Sequence, residues 1–198
     1  MKTKINRETW LNEATDLMRL GIFKNVGLEI PKDVKISCGF APTGNKGNKS
    51  GFNKTLGVCH NRKSSKAKIN EIFISPVTSE SVRVLDILAH ELIHAIDDCK
   101  NGHKKPFRDM ALKIGLTGKM RSTIAGDELI KDLKEIISKI GDYPHDVVSL
   151  NTHKKQGTRM KKVSCIDCSF SYRTSQKNID MMTNYICNSC GNESLEVD

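Results

Sequence analysis

No stretch of the chain approaches the run of about 18 apolar residues that a membrane-spanning helix needs, so the sequence predicts none. Met1 to Arg7 is basic, but no apolar segment stands behind it, and a secretory signal is not expected. Acidic residues are missing from one stretch and nearly so from a second. From Pro42 to Lys68 there are seven cations (Lys46, Lys49, Lys54, Arg62, Lys63, Lys66, Lys68) and no acid. From Asn151 to Lys177 there are seven more (Lys154, Lys155, Arg159, Lys161, Lys162, Arg173, Lys177) against Asp167 alone. Within a formal net charge of +9, two such blocks predict a polyanion partner whose phosphates they neutralise. The plainer account is a solvated basic surface. A disulfide framework is also missing. The seven cysteines are an odd number, and four fall in two CxxC pairs, which suits metal-bound thiolates in a reducing cytoplasm. Cys38, Cys59 and Cys99 remain as free thiols, and Cys59-His60 alone makes no metal site.

What is present is one domain's worth of core and a small appendage. Asn6 predicts the cap of an amphipathic helix with Trp10, Leu11, Ala14, Leu17 and Met18 on its apolar stripe, ended by Gly21. Val34–Cys38 and residues 56–59 read as strands on either side of a Gly-, Asn- and Lys-rich loop, 44–51. Residues 69–74 form a third strand, stopped by Ser75-Pro76, and Ile72, Phe73 and Ile74 are expected at a sheet edge that pairs with an extended substrate. Pro106 suits the first turn of a helix carrying Phe107, Met110, Ala111 and Ile114. Leu129, Ile130, Leu133, Ile136, Ile137 and Ile140 repeat at helical spacing up to Gly141. The domains expected are 1–145, a basic linker at 146–162, and a C-terminal unit at 163–198.

His90-Glu91-Leu92-Ile93-His94 lies in the apolar, helix-forming run from Val82 to Ile96. Histidines four apart share a helix face and reach one Zn²⁺, while Glu91 projects from a neighbouring sector, where it serves a water better than the metal. That is the post of a general base. Leu85, Leu88, Leu92 and Ile96 supply the buried stripe, which leaves the histidines on an adjacent face. His103 follows nine positions after His94 as a third ligand, with Asp97, Asp98 and Glu128 as substitutes. Three protein ligands and an open position describe a catalytic zinc. Satisfied surface or core histidines are the bland alternative.

Cys165-x-x-Cys168 and Cys187-x-x-Cys190 are separated by a hairpin-sized segment and can surround one tetrahedral Zn²⁺. Four thiolates leave no open position, so this zinc is structural, in a ribbon too small to fold without it. Phe170–Arg173 and residues 184–186 are its expected strands. Phe170, Tyr172, Arg173 and Lys177 have the chemistry to stack on and pair with single-stranded nucleic acid, although Phe170 also suits the ribbon's own core.

These residues resemble the SprT-like zinc metalloproteases, the Spartan-related family. The likeness rests on His90 to Ala95, on Gly102-His103 leading into Pro106-Phe107, and on the ribbon, introduced by Lys155-Gln156-Gly157-Thr158-Arg159-Met160 and continued by Tyr172-Arg173-Thr174. It is greatest to small phage and bacterial members. The resemblance implies an α+β, zincin-like metalloprotease domain with an HExxH helix and small sheet, followed by a zinc ribbon. It implies His90, His94 and His103 as ligands, Glu91 as acid/base, one catalytic and one structural zinc, and cleavage of DNA-associated proteins in the bacterial cytoplasm. Where Spartan has glycine after the third histidine, this chain has Lys104. The DNA contacts expected are Lys46, Lys49, Lys54, Arg62, Lys63, Lys154, Lys155, Arg159, Lys161, Lys162 and Arg173, with single-stranded DNA favoured and a monomeric protein. The rivals are a non-proteolytic nucleic-acid-binding or transcription-associated factor, and a protease of ordinary soluble substrates indifferent to DNA.

Overall fold

The computed structural model describes residues 6–40, 55–148 and 160–197. The chain divides into two compact units, residues 1–150 and 151–198. Among the described residues no helix is long and apolar enough to cross a membrane.

Unit one begins with α1 (Arg7–Met18), where the Asn6 side chain accepts from the Thr9 amide at 2.8 Å. Trp10, Leu11, Ala14 and Met18 turn inward and are buried. Gly21 does not end the helix. A π turn (Arg19–Phe23) carries it on, because Ile22 and Phe23 both reach the core through that turn, and tertiary burial overrides glycine's weak propensity. The stop comes at Gly27, with φ +71° and the Leu28 amide on the Phe23 carbonyl at 2.9 Å.

The sheet holds β1 (Val34–Cys38), β2 (Gly57–His60) and β3 (Asn70–Ile74) in the order β1-β3-β2. β3 is parallel to β1 and antiparallel to β2, so it is the central strand. The expectation that Ile72, Phe73 and Ile74 form a substrate edge is therefore wrong: their backbone lies between two partners and cannot accept a third. The burial of Ile72 and Ile74 drives β3 to the middle, and the edge beside α2 (Ser81–Ile96) is β2. Glu80 caps α2, its carboxylate accepting from the Val82 and Arg83 amides at 2.9 and 2.6 Å. Leu85, Leu88, Leu92 and Ile93 are fully buried, each contributing about 1.5–3 kcal/mol of transfer free energy.

α3 (Lys105–Lys113) starts with Pro106 in its first turn, as expected. A hairpin of β4 (Leu116–Lys119) and β5 (Ser122–Ala125) follows, which the sequence pattern did not reveal. α4 (Asp127–Ile140) buries Leu129, Leu133 and Ile136 and ends at Gly141, φ +82°. The segment after it is not linker from residue 146. Val148 N–H donates to the Pro76 carbonyl at 2.9 Å, three residues beyond the same carbonyl's contact with His145.

Unit two is built on β6 (Lys161–Cys165), β7 (Ser171–Thr174), the short α5 (Gln176–Asp180) and β8 (Leu195–Val197), in sheet order β7-β6-β8. Lys161 and Lys162 pair with Thr174 and Arg173, so the ribbon's first strand begins two residues before the expected boundary at 163. Residues 184–186 form no strand, and only Ile186 makes a bridge, to Glu193.

Candidate active site

α2 presents His90 and His94 one turn apart, and the chain then folds back to bring His103 between them. The return is tight: Cys99 N–H donates to the His94 carbonyl at 2.8 Å, Asn101 N–H to the Asp97 carboxylate at 3.2 Å, and Gly102 takes φ +51°. The Nε2 atoms of His90 and His94 each lie 3.2 Å from Nε2 of His103. Three ligands bound at about 2.0–2.1 Å around a tetrahedral zinc stand about 3.3 Å apart. The donor set therefore fits one such ion, with Lys104 after His103 no obstacle to the clustering.

Burial holds these imidazoles neutral, with lone pairs free. His90 is pushed down to about 3 by desolvation first and by His94, His103 and Arg83 after it. His94 falls to about 4, again mainly by burial, and His103 is lowered in the same direction. Nδ1 of His90 lies 2.8 Å from Oγ1 of Thr123 on β5, a residue 3% exposed. An Nδ1–H donated there fixes the tautomer that leaves Nε2 as the ligand atom. Phe107, fully buried on α3, is a common floor. Its ring lies 4.4 Å from that of His94, nearly parallel, 4.8 Å from His90 and 5.1 Å from His103.

Glu91 is 6% exposed, and desolvation pushes its carboxyl up to about 8; the backbone N–H of Cys59 on β2 opposes that rise by favouring the charged form. Leu56 C=O accepts from Ser75 N–H at 2.9 Å, so by the alternation of an antiparallel ladder Gly57 and Cys59 turn their backbone groups away from β3. Gly57 must lack a side chain: a Cβ there would stand 2.6 Å from Glu91 Oε1 and 2.6 Å from Ile87 Cγ2. His90, Glu91, His94 and His103 thus line one cleft of about 440 Å³ with Gly57, Thr123, Arg83 and Arg121.

The substitutes for His103 are engaged elsewhere. Asp98 Oδ1 accepts from Arg62 N–H at 2.8 Å and from Asn70 Nδ2 at 3.1 Å, Asp97 holds the Asn101 amide, and Glu128 pairs with Lys131 at 2.7 Å. In unit two the Sγ atoms of Cys165 and Cys190 lie 3.7 Å apart, and those of Cys168 and Cys187 3.6 Å. A zinc–sulfur bond of about 2.3 Å predicts tetrahedral edges of about 3.8 Å, so this set also fits. The residues after the second cysteine of each pair, Ser169 and Gly191, share left-handed φ of +62° and +77°, so the two halves of the site are built alike.

The expected nucleic-acid contacts divide. Lys46, Lys49, Lys54, Lys154, Lys155 and Arg159 lie outside the described residues. Arg62 is drawn inward, its guanidinium on Asn70 at 3.2 Å and near Asp33 at 3.8 Å. Lys63, Lys161, Lys162 and Arg173 stand in solvent or at the surface. Phe170 is 40% exposed, so it does not fill the ribbon core. The placement of Thr123, Gly57 and the Cys59 amide against His90 and Glu91 was not visible in sequence; Gly57 alone left a signal, a glycine inside a strand pattern.

Among known proteins, the model of the SprT-like family matches residues 39–126, which contain the HExxH helix, His103 and Thr123 and stop before the cysteine ribbon. No curated protein and no solved structure matches the chain.

Proposed function

With residues 39–126 a SprT-like domain, of a metallopeptidase-type family, we propose that the chain is a zinc-dependent endopeptidase acting on DNA-associated proteins, DNA-crosslinked ones included. The observation that carries this is the three neutral imidazoles at 3.2 Å spacing with a buried glutamate beside them, in a cleft bordered by β2, an edge strand among the described residues. His90, His94 and His103 would hold the zinc, which when bound supplies a Lewis acid for the scissile carbonyl and acidifies water. Glu91, with a carboxyl near neutral pH, takes the water's proton and returns it to the leaving amine. Cys59 N–H holds the carboxylate in place, and Thr123 holds His90. The substrate backbone pairs with the outward-facing groups of Gly57, since strand addition uses main-chain bonds and accepts many sequences.

DNA association rests on charge. On β6 and β7, Lys162 stands directly opposite Arg173, a like-charge pair that costs stability unless an anion lies between. Phe170, 40% exposed, suits stacking on a single-stranded base. The test is cleavage of a basic DNA-binding protein by wild type and Glu91→Gln, with and without single-stranded DNA, zinc content being measured in the same samples. DNA-stimulated cleavage is expected from wild type, and a loss of about 10²–10⁴-fold in Glu91→Gln with zinc retained. Cleavage indifferent to DNA would leave an ordinary metalloprotease. Tight DNA binding with no cleavage would favour the non-proteolytic binding factor.

A further inference from the structure

Two thiols that the sequence separates by 40 positions meet at the side of the cleft. Cys59 on β2 and Cys99 after α2 have their Sγ atoms 3.5 Å apart, and the Cys99 thiol also donates to the Cys59 carbonyl at 3.3 Å. Both are half-buried and both line the cleft, so a small solute reaches them. We propose that Cys59 and Cys99 are a peroxide-reactive dithiol site that closes to a reversible disulfide, tying the edge strand to the end of the HExxH helix.

The approach of the two sulfurs is built into the backbone. Asp98 and Cys99 are consecutive non-glycine residues in the left-handed region, φ +54° and +58°. Side chains resist that conformation, and it persists only where the surroundings enforce it. Here they do: Asp98 is held by the Arg62 amide and Asn70, and the Cys99 amide by the His94 carbonyl. The result turns Cys99 back towards β2. A disulfide bond of about 2.05 Å requires the sulfurs to close by about 1.5 Å, a movement within reach of side-chain rotation. Cys38, the other cysteine outside the ribbon, meets Arg7 and Tyr143 instead.

The chemistry balances with hydrogen peroxide as oxidant. The Cys99 thiol donates to the Cys59 carbonyl and lies against the Cys59 sulfur, so each sulfur is placed to meet the other once either is oxidised. The thiolate of one displaces hydroxide from peroxide, giving a sulfenic acid and, after protonation, water. The sulfur of the other then displaces the second hydroxyl, its proton leaving with it as water. Both sulfurs are oxidised by one unit each and peroxide is reduced to two waters. Because Cys59 N–H holds Glu91, the bond forms beside the acid/base, yet the inference does not depend on protease activity.

The test is treatment of the zinc-loaded full chain with equimolar peroxide, followed by alkylation, proteolysis and mass spectrometry. The expected product is a single cross-link between the peptides of Cys59 and Cys99, lighter by two hydrogens and reopened by dithiothreitol, with Cys38 alkylated. In Cys59→Ser or Cys99→Ser, dimedone should trap the remaining cysteine of the pair as its sulfenic acid. Cys59 and Cys99 both remaining alkylatable after peroxide is consumed, or cross-links that join other cysteines, would overturn the proposal.

Discussion

The histidine cleft and the cysteine ribbon both gather side chains at distances that suit one tetrahedral ion, but they stand on different amounts of protein. The histidines project from a helix whose opposite face is sunk in a continuous core reaching from Trp10 to Tyr143. The ribbon has five buried hydrophobic residues among those described, Val163, Cys165, Ile179, Cys187 and Leu195, and two of them belong to the candidate ligand set. In the first region the protein makes the site; in the second the site makes the protein. Openness follows the same division. Three ligands leave a coordination position facing the cleft, whereas four thiols close theirs.

Removing one ligand from each region tests this most severely. Cys187→Ser should abolish ordered structure in residues 161–197, because structural zinc in such small units supplies about 10–16 kcal/mol of folding free energy. His94→Ala should empty its site yet leave unit one melting cooperatively, with its helical circular dichroism retained. Amide dispersion in the NMR spectrum reads both. A ribbon that keeps its dispersion in Cys187→Ser would break the contrast.

The second test works within unit one. A buried carboxyl raised to about 8 from an ordinary value of 4.5 takes up a proton on folding between those two pH values. Its folded pKa is the higher, so the stability associated with it is complete below about pH 4.5 and is lost as pH rises towards 8. Glu91→Gln removes this penalty. After a chelator has emptied the histidine site, the variant should exceed wild type by about 3 kcal/mol at neutral pH, one pKa unit being about 1.4 kcal/mol. The gap should vanish near pH 4. Urea melts across that range would show it, and a gap independent of pH would deny Glu91 its buried, titrating environment.

What could be read from the sequence was local. The Asn6 cap, the α4 stripe from Leu129 to Ile140, the HExxH spacing and both CxxC pairs are each encoded within about a dozen residues, and each lies where expected. What escaped was the result of pairing between distant segments. β3 carries the same apolar pattern whether central or at an edge, so its position was misassigned. The β4–β5 hairpin buries only Leu116 and Thr123 and shows no alternation to detect. Gly21 failed as a stop because Ile22 and Phe23 beyond it had a core to enter. The contact between Cys59 and Cys99 depends on two left-handed residues that no composition signals.

The smallest effect concerns the groups standing behind the ligands, where the two regions are most alike. Thr123 holds His90 at 2.8 Å, and Ser194 stands 3.0 Å from the sulfur of Cys165. Ser194 is the leading cause of that thiol's fall to about 6, but there the hydroxyl only adds to four thiols already anchored on one small frame. Among the described residues, Thr123 is the one partner that fixes the His90 ring's tautomer from a different element of the fold. Thr123→Val keeps the shape and removes the hydroxyl, so zinc affinity at the histidine site should fall about 10–100-fold, the usual cost of losing such a partner. Thr123→Ser should restore it, since the oxygen returns without the methyl. Competition with a chromophoric chelator measures this while the ribbon zinc serves as an internal standard. Equal affinities in wild type and Thr123→Val would mean that packing on Phe107 alone orients His90.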